Sequence, residues 1–281
     1  PYSKMWKKKL AAEKILQYPS EEQLGNLVKN KNFPFPTLQE IGFEETEKSA
    51  AYVLHEETVR TYHQTRDQPG IAGTSQVSVH LRFGTVSVRQ AVQLAKKINE
   101  KWLDELIWRE FFMMILFHFP QVVHHSFKKK FDAILWRNKE AEFKSWCAGE
   151  TGYPLVDAGM RQLNETGWMH NRARMVAASF LVKHLLIDWR WGDAYFAQKL
   201  LDYELASNNG NWQWVAGSGC DASPYFRVFN PQAQAQKFDP ELHYIKRWIK
   251  DFHPDYLPKI VDHEFARKRA LAAYKKALAD N

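Results

Sequence analysis

The chain has 281 residues, with 39 Lys and Arg against 32 Asp and Glu, a formal net charge of +7, and 45% hydrophobic residues. That balance excludes a disordered or collagen-like chain, and the length permits a core that keeps water out of a site. Two Cys, Cys147 and Cys220, exclude a disulfide scaffold, and the longest wholly apolar run, Phe111 to Phe117, is too short to cross a bilayer.

Residues 1–60 are expected to be a connecting segment with the first helices, and 61–281 a single helical domain. The opening Pro1-Tyr2-Ser3-Lys4-Met5-Trp6 carries no apolar signal segment and reads as mid-protein. Lys7-Lys8-Lys9 is expected to be the solvated face of a helix. Up to Leu38, Pro19, Pro34 and Pro36 break the helical stretches. Helical spacing runs from Ile41 to Arg66, and residues 67–75 form a turn-rich loop. Ser87-Val88-Arg89-Gln90 has the form of a capping box ahead of Ala91, Val92, Ala95 and Ile98. Trp102 to Phe119 and Met160 to Ile187 are expected to be long buried helices. Asn208 to Pro231 looks irregular and Gly-rich, and Phe265 to Ala279 is a last amphipathic helix. With no αβ alternation, no internal repeat and no Gly-x-Gly-x-x-Gly loop, the fold class is all-α.

Two helix faces carry chemistry. Glu105, Trp108, Arg109 and Phe112 stand at i, i+3, i+4 and i+7, and so do Trp168, Asn171, Arg172 and Met175. One such face is ordinarily a core indole beside a surface ion pair. Two in one chain describe an aromatic-walled pocket with a few convergent polar groups, as a planar ligand requires. The 11 Trp, 11 Tyr and 18 Phe on a positive chain point the same way, to a planar or polyanionic partner. Gly73-Thr74-Ser75-Gln76-Val77-Ser78 supplies the hydroxyl and N–H groups that cradle phosphate. Asp202-Tyr203-Glu204 pairs two carboxylates, but no His stands at ligand spacing, so no metal is expected. His124-His125 is expected at the surface.

Several longer segments are more specific than these. They are Tyr62-His63-Gln64-Thr65-Arg66-Asp67, the Gly73 to Ser78 loop, Glu105 to Phe111, Gly152 to Leu163, Gly167 to Met175, and Asn208-Asn209-Gly210-Asn211-Trp212-Gln213-Trp214. Through them the chain resembles the C-terminal flavin-binding domain of the DNA photolyase/cryptochrome family, and within it the class I cyclobutane pyrimidine dimer photolyases. The resemblance runs from about Tyr2 to the C-terminus.

That resemblance implies a helical domain holding non-covalent FAD, reduced in its active form. Tyr62, Thr74, Ser75, Gln76, Val77 and Ser78 would hold the pyrophosphate and ribityl region. Trp102, Arg109, Asp202, Tyr203 and Glu204 would line the flavin, with Asn208 at its reactive nitrogen and Arg174 paired with Asp202. The family often has Asp where Glu204 stands, and the longer carboxylate is expected to keep the contact. Arg66, Glu105, Trp108, Arg109, Phe112, Asn171, Arg172 and Gln234 would meet damaged DNA, Trp108 and Trp214 flanking the dimer with Met175 near it. Glu105 would share a proton with a pyrimidine carbonyl. Trp136, Trp189 and Trp212 match the family's electron-carrying tryptophans.

The family's N-terminal α/β domain has no counterpart in these residues, so no antenna chromophore is expected. A monomer acting on pyrimidine dimers in DNA, in the cytoplasm at the nucleoid and away from membranes, completes the expectation. A cryptochrome photoreceptor and a flavin-free helical DNA-binding module are the alternatives. The residues after His170, Asn171-Arg172, argue against a (6-4) photolyase, which has a His pair there.

Overall fold

The computed structural model describes residues 1–16, 18–29, 34–44, 52 and 54–279. No strand forms among them. The chain divides into two units, Pro1–Leu54 and His55–Asn281.

In the first unit, α1 (Tyr2–Ala12) buries no residue; of the lysine run, Lys8 and Lys9 are exposed as expected and Lys7 is half-buried. Pro19 precedes a 3-10 turn at Ser20–Asn26. Thr37 donates through both its N–H and its Oγ1 to Glu40 Oε2, closing a local turn. The continuous helix expected from Ile41 to Arg66 does not form: 41–42 belong to this turn, and 45–51 and 53 lie outside the described residues. Among the described residues of that span, only α2 (Glu56–Thr65), in the second unit, is helical.

The second unit continues through α3 (Ser78–Phe83) and α4 (Val88–Ile98). Ser87 stands at the start of α4, but its side chain makes no capping hydrogen bond, so the capping box exists in sequence only. The next helix, α5 (Glu100–His118), has a working cap in Asn99, whose Oδ1 accepts from the N–H groups of Lys101 (2.9 Å) and Trp102 (3.3 Å). It buries Trp102, Leu103, Leu106, Ile107, Phe111, Phe112 and Ile115, which lie around most of its circumference.

After α6 (Glu140–Ala148), the expected long helix from Met160 to Ile187 is divided. Helix α7 (Pro154–Thr166) ends at Gly167, whose φ of +67° favours glycine, and whose missing Cβ would stand 2.6 Å from Leu201 Cγ. The chain restarts as α8 (Asn171–Ser179), which runs into a π turn at Phe180–His184. The wider turn brings the fully buried Lys183 Nζ to the carbonyls of Ala216 and Tyr225, 3.2 Å from each, and 3.6 Å above the ring of Tyr274.

Helices α9 (Trp189–Lys199) and α10 (Leu205–Ala216) follow. The stretch expected to be irregular from Asn208 to Pro231 is therefore helical as far as Ala216, and irregular from Gly217 to Asn230. Glu204 caps α10 by accepting the N–H groups of Ala206 and Ser207, 2.9 Å each. At Gly192 of α9 a Cβ would stand 2.1 Å from the Trp212 ring, which fixes how closely α9 and α10 approach. Helices α11 (Pro231–Phe238), α12 (His243–Trp248) and α13 (His263–Ala279) complete the unit. The main core gathers Trp146, Tyr153, Phe180, Trp189, Trp212 and Tyr244. Tyr274 of α13 joins Phe131, Ile134 and Leu186 in a second cluster.

Candidate active site

The second unit holds a cavity of about 520 Å³ between α2, α3, α5, α8 and α10. A smaller one of about 110 Å³ shares Asn171, Arg174, Met175, Asp202, Glu204 and Trp214 with it, so the two form one site. Tyr62, Thr74 to Ser78, Trp102, Arg109, Arg174, Asp202 and Glu204 line the larger part. Arg66, Glu105, Trp108, Phe112, Asn171, Met175 and Trp214 line it too. Tyr203, Asn208 and Trp212 line the smaller part. Residues as far apart in the chain as Tyr62 and Trp214 are thus brought to one place.

Others stand elsewhere. Arg172 does not line the cavity: its guanidinium bonds Asp67 at 2.5 Å and stacks over the Phe238 ring at 3.9 Å. Gln234, on α11, is not among the lining residues either, and its Oε1 is buried without a partner. Trp168 precedes α8 and so shares no helix face with Asn171 and Met175, yet it reaches the cavity wall from the loop. Trp189 is buried in the core under Arg190, and Trp136 packs edge-on to Tyr274 with ring centroids 6.1 Å apart. Trp212 packs on Phe196 (5.0 Å) and Trp146 (6.2 Å).

The electrostatics are set by a few buried charges. Arg66 of α2 forms a hydrogen-bonded ion pair with Glu105 of α5 and lies 5.3 Å from the Tyr62 ring. Burial pushes the Glu105 carboxyl above its ordinary value, and Arg66 pulls it partly back. Arg174 donates to Met169 O (2.7 Å) and to Asp202 Oδ2 (2.9 Å), the pairing expected from sequence. Asp202 Oδ1 is buried with no partner inside the chain. Glu204 spends both carboxylate oxygens on the start of α10, including the Ser207 hydroxyl at 2.8 Å. It faces the cavity as a cap whose lone pairs are largely occupied.

Two residues escaped the sequence. Asp193 on α9 accepts from Asn208 Nδ2 at its Oδ1 (2.7 Å) and at its backbone carbonyl (3.0 Å). Both amide hydrogens of Asn208 are thereby used, which leaves an acceptor for anything in the cavity. Burial raises Asp193 to about 6. Arg227 lies 5.8 Å over the Trp214 ring and 5.1 Å over Phe229, on the rim beside an indole. Neither stands at a helical spacing from its partner, so no pattern could have found it.

Among the described residues no cluster of three or more His, Cys, Asp or Glu could hold a metal ion, and no helix is long and apolar enough to cross a membrane. What the site does offer is one aromatic-walled hollow, a hydroxyl-rich loop at one side, and partly buried ion pairs.

Residues 102–254 match the family model for the FAD binding domain of DNA photolyase. The chain is 39% identical over 318 residues to a deoxyribodipyrimidine photo-lyase of Escherichia coli strain K12, across 99% of this chain and 67% of that protein. A class III photolyase from Agrobacterium tumefaciens has a similar structure, with a TM-score of 0.73 at 42% identity over 78% of this chain and 53% of that one. An archaeal photolyase from Sulfolobus tokodaii with two FAD molecules gives 0.72 at 42% identity, over 78% and 55%. The chain thus spans between about half and two thirds of these proteins.

Proposed function

This chain belongs to the DNA photolyase family, and from that membership we propose that it binds FAD and reverses cyclobutane pyrimidine dimers in DNA under light. The observation that carries the proposal is the convergence on one cavity of two indoles, Trp108 and Trp214, the Arg66–Glu105 pair, and the Thr74 to Ser78 loop.

The donor set fits a flavin dinucleotide. The loop supplies hydroxyl and N–H groups for a pyrophosphate, and the cavity has the size and polarity of a cofactor site. The unpartnered Asp202 Oδ1, held rigid through Arg174, needs a donor that the chain itself does not provide. Tyr62, Trp102, Arg109, Arg174, Asp202, Tyr203, Glu204 and Asn208 would hold the group. Bound and reduced, FAD supplies a light-driven one-electron donor.

The residues of the chain do the rest. A fused dimer stacks poorly in a duplex, so extruding it costs less than flipping a normal base. Trp108 and Trp214 give it walls, with Met175 and Asn171 beside them. Glu105, its carboxyl raised above the ordinary value by burial, is the group that would hydrogen-bond a pyrimidine carbonyl as negative charge develops there. Arg66 holds that carboxyl in place. Trp136, Trp189 and Trp212, all packed on the main core, serve as the route by which electrons reach the flavin from the surface. The protein works as a monomer on DNA in the cytoplasm.

The test is direct. FAD-loaded, reduced protein is mixed with an oligonucleotide carrying one thymine dimer and illuminated with blue light. Recovery of intact thymines is expected in the light and not in the dark. Bound flavin without recovery would favour a photoreceptor, and a chain that takes up no flavin would be a DNA-binding module only.

A further inference from the structure

The surface outside the cavity holds a second concentration of charge, at Lys128, Lys129 and Lys130, all exposed. A run of lysines is usually no more than solvated surface. This one is built in. The segment before it is tied to α10 through Gln213, which is 2% exposed and lies between the two indoles Trp212 and Trp214. Gln213 Oε1 accepts from the Phe127 N–H (2.8 Å), and its Nε2 donates to Val122 O (2.9 Å) and His125 O (3.2 Å). The Lys128 N–H adds a bond to Ser218 O at 2.9 Å, just beyond the end of α10. Four hydrogen bonds therefore fix a short arm to the helix that walls the cavity.

The arm also adjoins the cavity. Phe112 lines both the main hollow and a small cleft whose other walls include Phe127, Gly219 and Cys220. Just before the lysines, Phe127 packs edge-on to Phe119 at 5.0 Å. The nearby acid Asp132 is already engaged by Arg190, His125 and the Ser126 N–H, so it does not neutralise the lysines.

We infer that Lys128, Lys129 and Lys130 form a rigid arm that grips the phosphates of the undamaged duplex flanking a lesion held in the cavity. The inference rests on the DNA-repair reading and extends it to the length of DNA engaged. Positive charge on a fixed backbone, next to a hollow that takes a base pair's worth of planar surface, suits a nucleic-acid backbone.

The experiment compares the protein with a K128Q/K129Q/K130Q variant and a K128R/K129R/K130R variant. Affinity is measured by fluorescence anisotropy for a long duplex with one thymine dimer and for a trinucleotide carrying the same dimer, across a range of KCl concentrations. The glutamine variant should lower the duplex-to-trinucleotide affinity ratio by about tenfold or more. It should also reduce the salt slope for duplex by roughly 2–3, at about 0.9 for each phosphate no longer neutralised. The arginine variant should keep both near the parent values. An unchanged ratio and slope in the glutamine variant would overturn the arm. A reduced slope together with no light-dependent repair by the parent would overturn the repair reading and leave the arm standing as a duplex-binding surface.

Discussion

Arg66, which closes the C-terminus of α2, and Glu105 of α5 form an ion pair in the wall of the cavity. Because burial raises the Glu105 carboxyl and Arg66 lowers it, removing Arg66 must raise it further. In an R66Q variant, ¹³C NMR of Glu105 should show it titrating at higher pH than in the parent. Loss of this charge-assisted bond should cost about 1–3 kcal/mol of stability. An unshifted titration would show that the pair is not formed in solution.

Asp193 gives a pH dependence with a definite sign. Its folded pKa, about 6, lies above the ordinary 3.8, so the folded protein binds this proton more tightly than the unfolded chain does. Rising pH therefore destabilises the fold between about pH 4 and 6, by an amount on the order of 2–3 kcal/mol. D193N should remove that decline while keeping a partner for Asn208. Urea unfolding at a series of pH values compares the two proteins, and parallel curves would refute the assignment.

His170 acts in the opposite direction. It caps α8, its Nδ1 accepting the Arg172 N–H at 3.1 Å, and it is held neutral down to about pH 4 by burial and by the charges of Arg172 and Arg174. Its folded pKa lies below the ordinary 6.5, so stability is lost as pH falls from about 6.5 to 4. H170N keeps a capping acceptor and has no proton to take up. Its melting temperature should fall less than the parent's over that interval.

Gly167 has no good replacement. In G167A the new Cβ meets Leu201 Cγ at a backbone φ of +67°, which should cost about 1–3 kcal/mol. Thermal unfolding should show a melting temperature lower by several degrees. An unchanged value would mean that Leu201 moves aside freely.

The elements legible in the sequence were those whose period matched their burial. Helix α5 was legible because its apolar residues recur at helical spacing, and α13 for the same reason. The span from Met160 to Ile187 carries that spacing too, but a left-handed residue at Gly167 divides it, and the π turn at Phe180–His184 ends it before a second left-handed residue at Leu186. Helix α10 was hidden by composition: Ser207, Asn208, Asn209, Gly210 and Asn211 are poor helix formers, overridden by the Glu204 cap and the packing of Trp212. Of the site, the cavity-lining residues were accessible through the family resemblance, and the Arg174–Asp202 pair with them. That Arg172 turns from the cavity to Asp67 was not legible, because helical spacing says which face a side chain shares, not which acid will claim it. Asp193 was invisible, since its bond to Asn208 joins two helices that only tertiary packing brings together.

The anchoring of α10 at both ends divides labour at the cavity mouth. Glu204 pins the first turn, and at the other end the Ala216 carbonyl takes both the Lys183 ammonium and the Tyr274 hydroxyl, 2.8 Å away. Trp214 therefore sits on a jaw that cannot swing. Trp108 of α5, 41% exposed, leans on Phe111 and Phe112 of its own helix, with ring centroids 5.4 and 5.8 Å away. Amide exchange through the body of α10 should be among the slowest in the chain, so Trp214 gives the cavity one wall whose position is set before anything enters it.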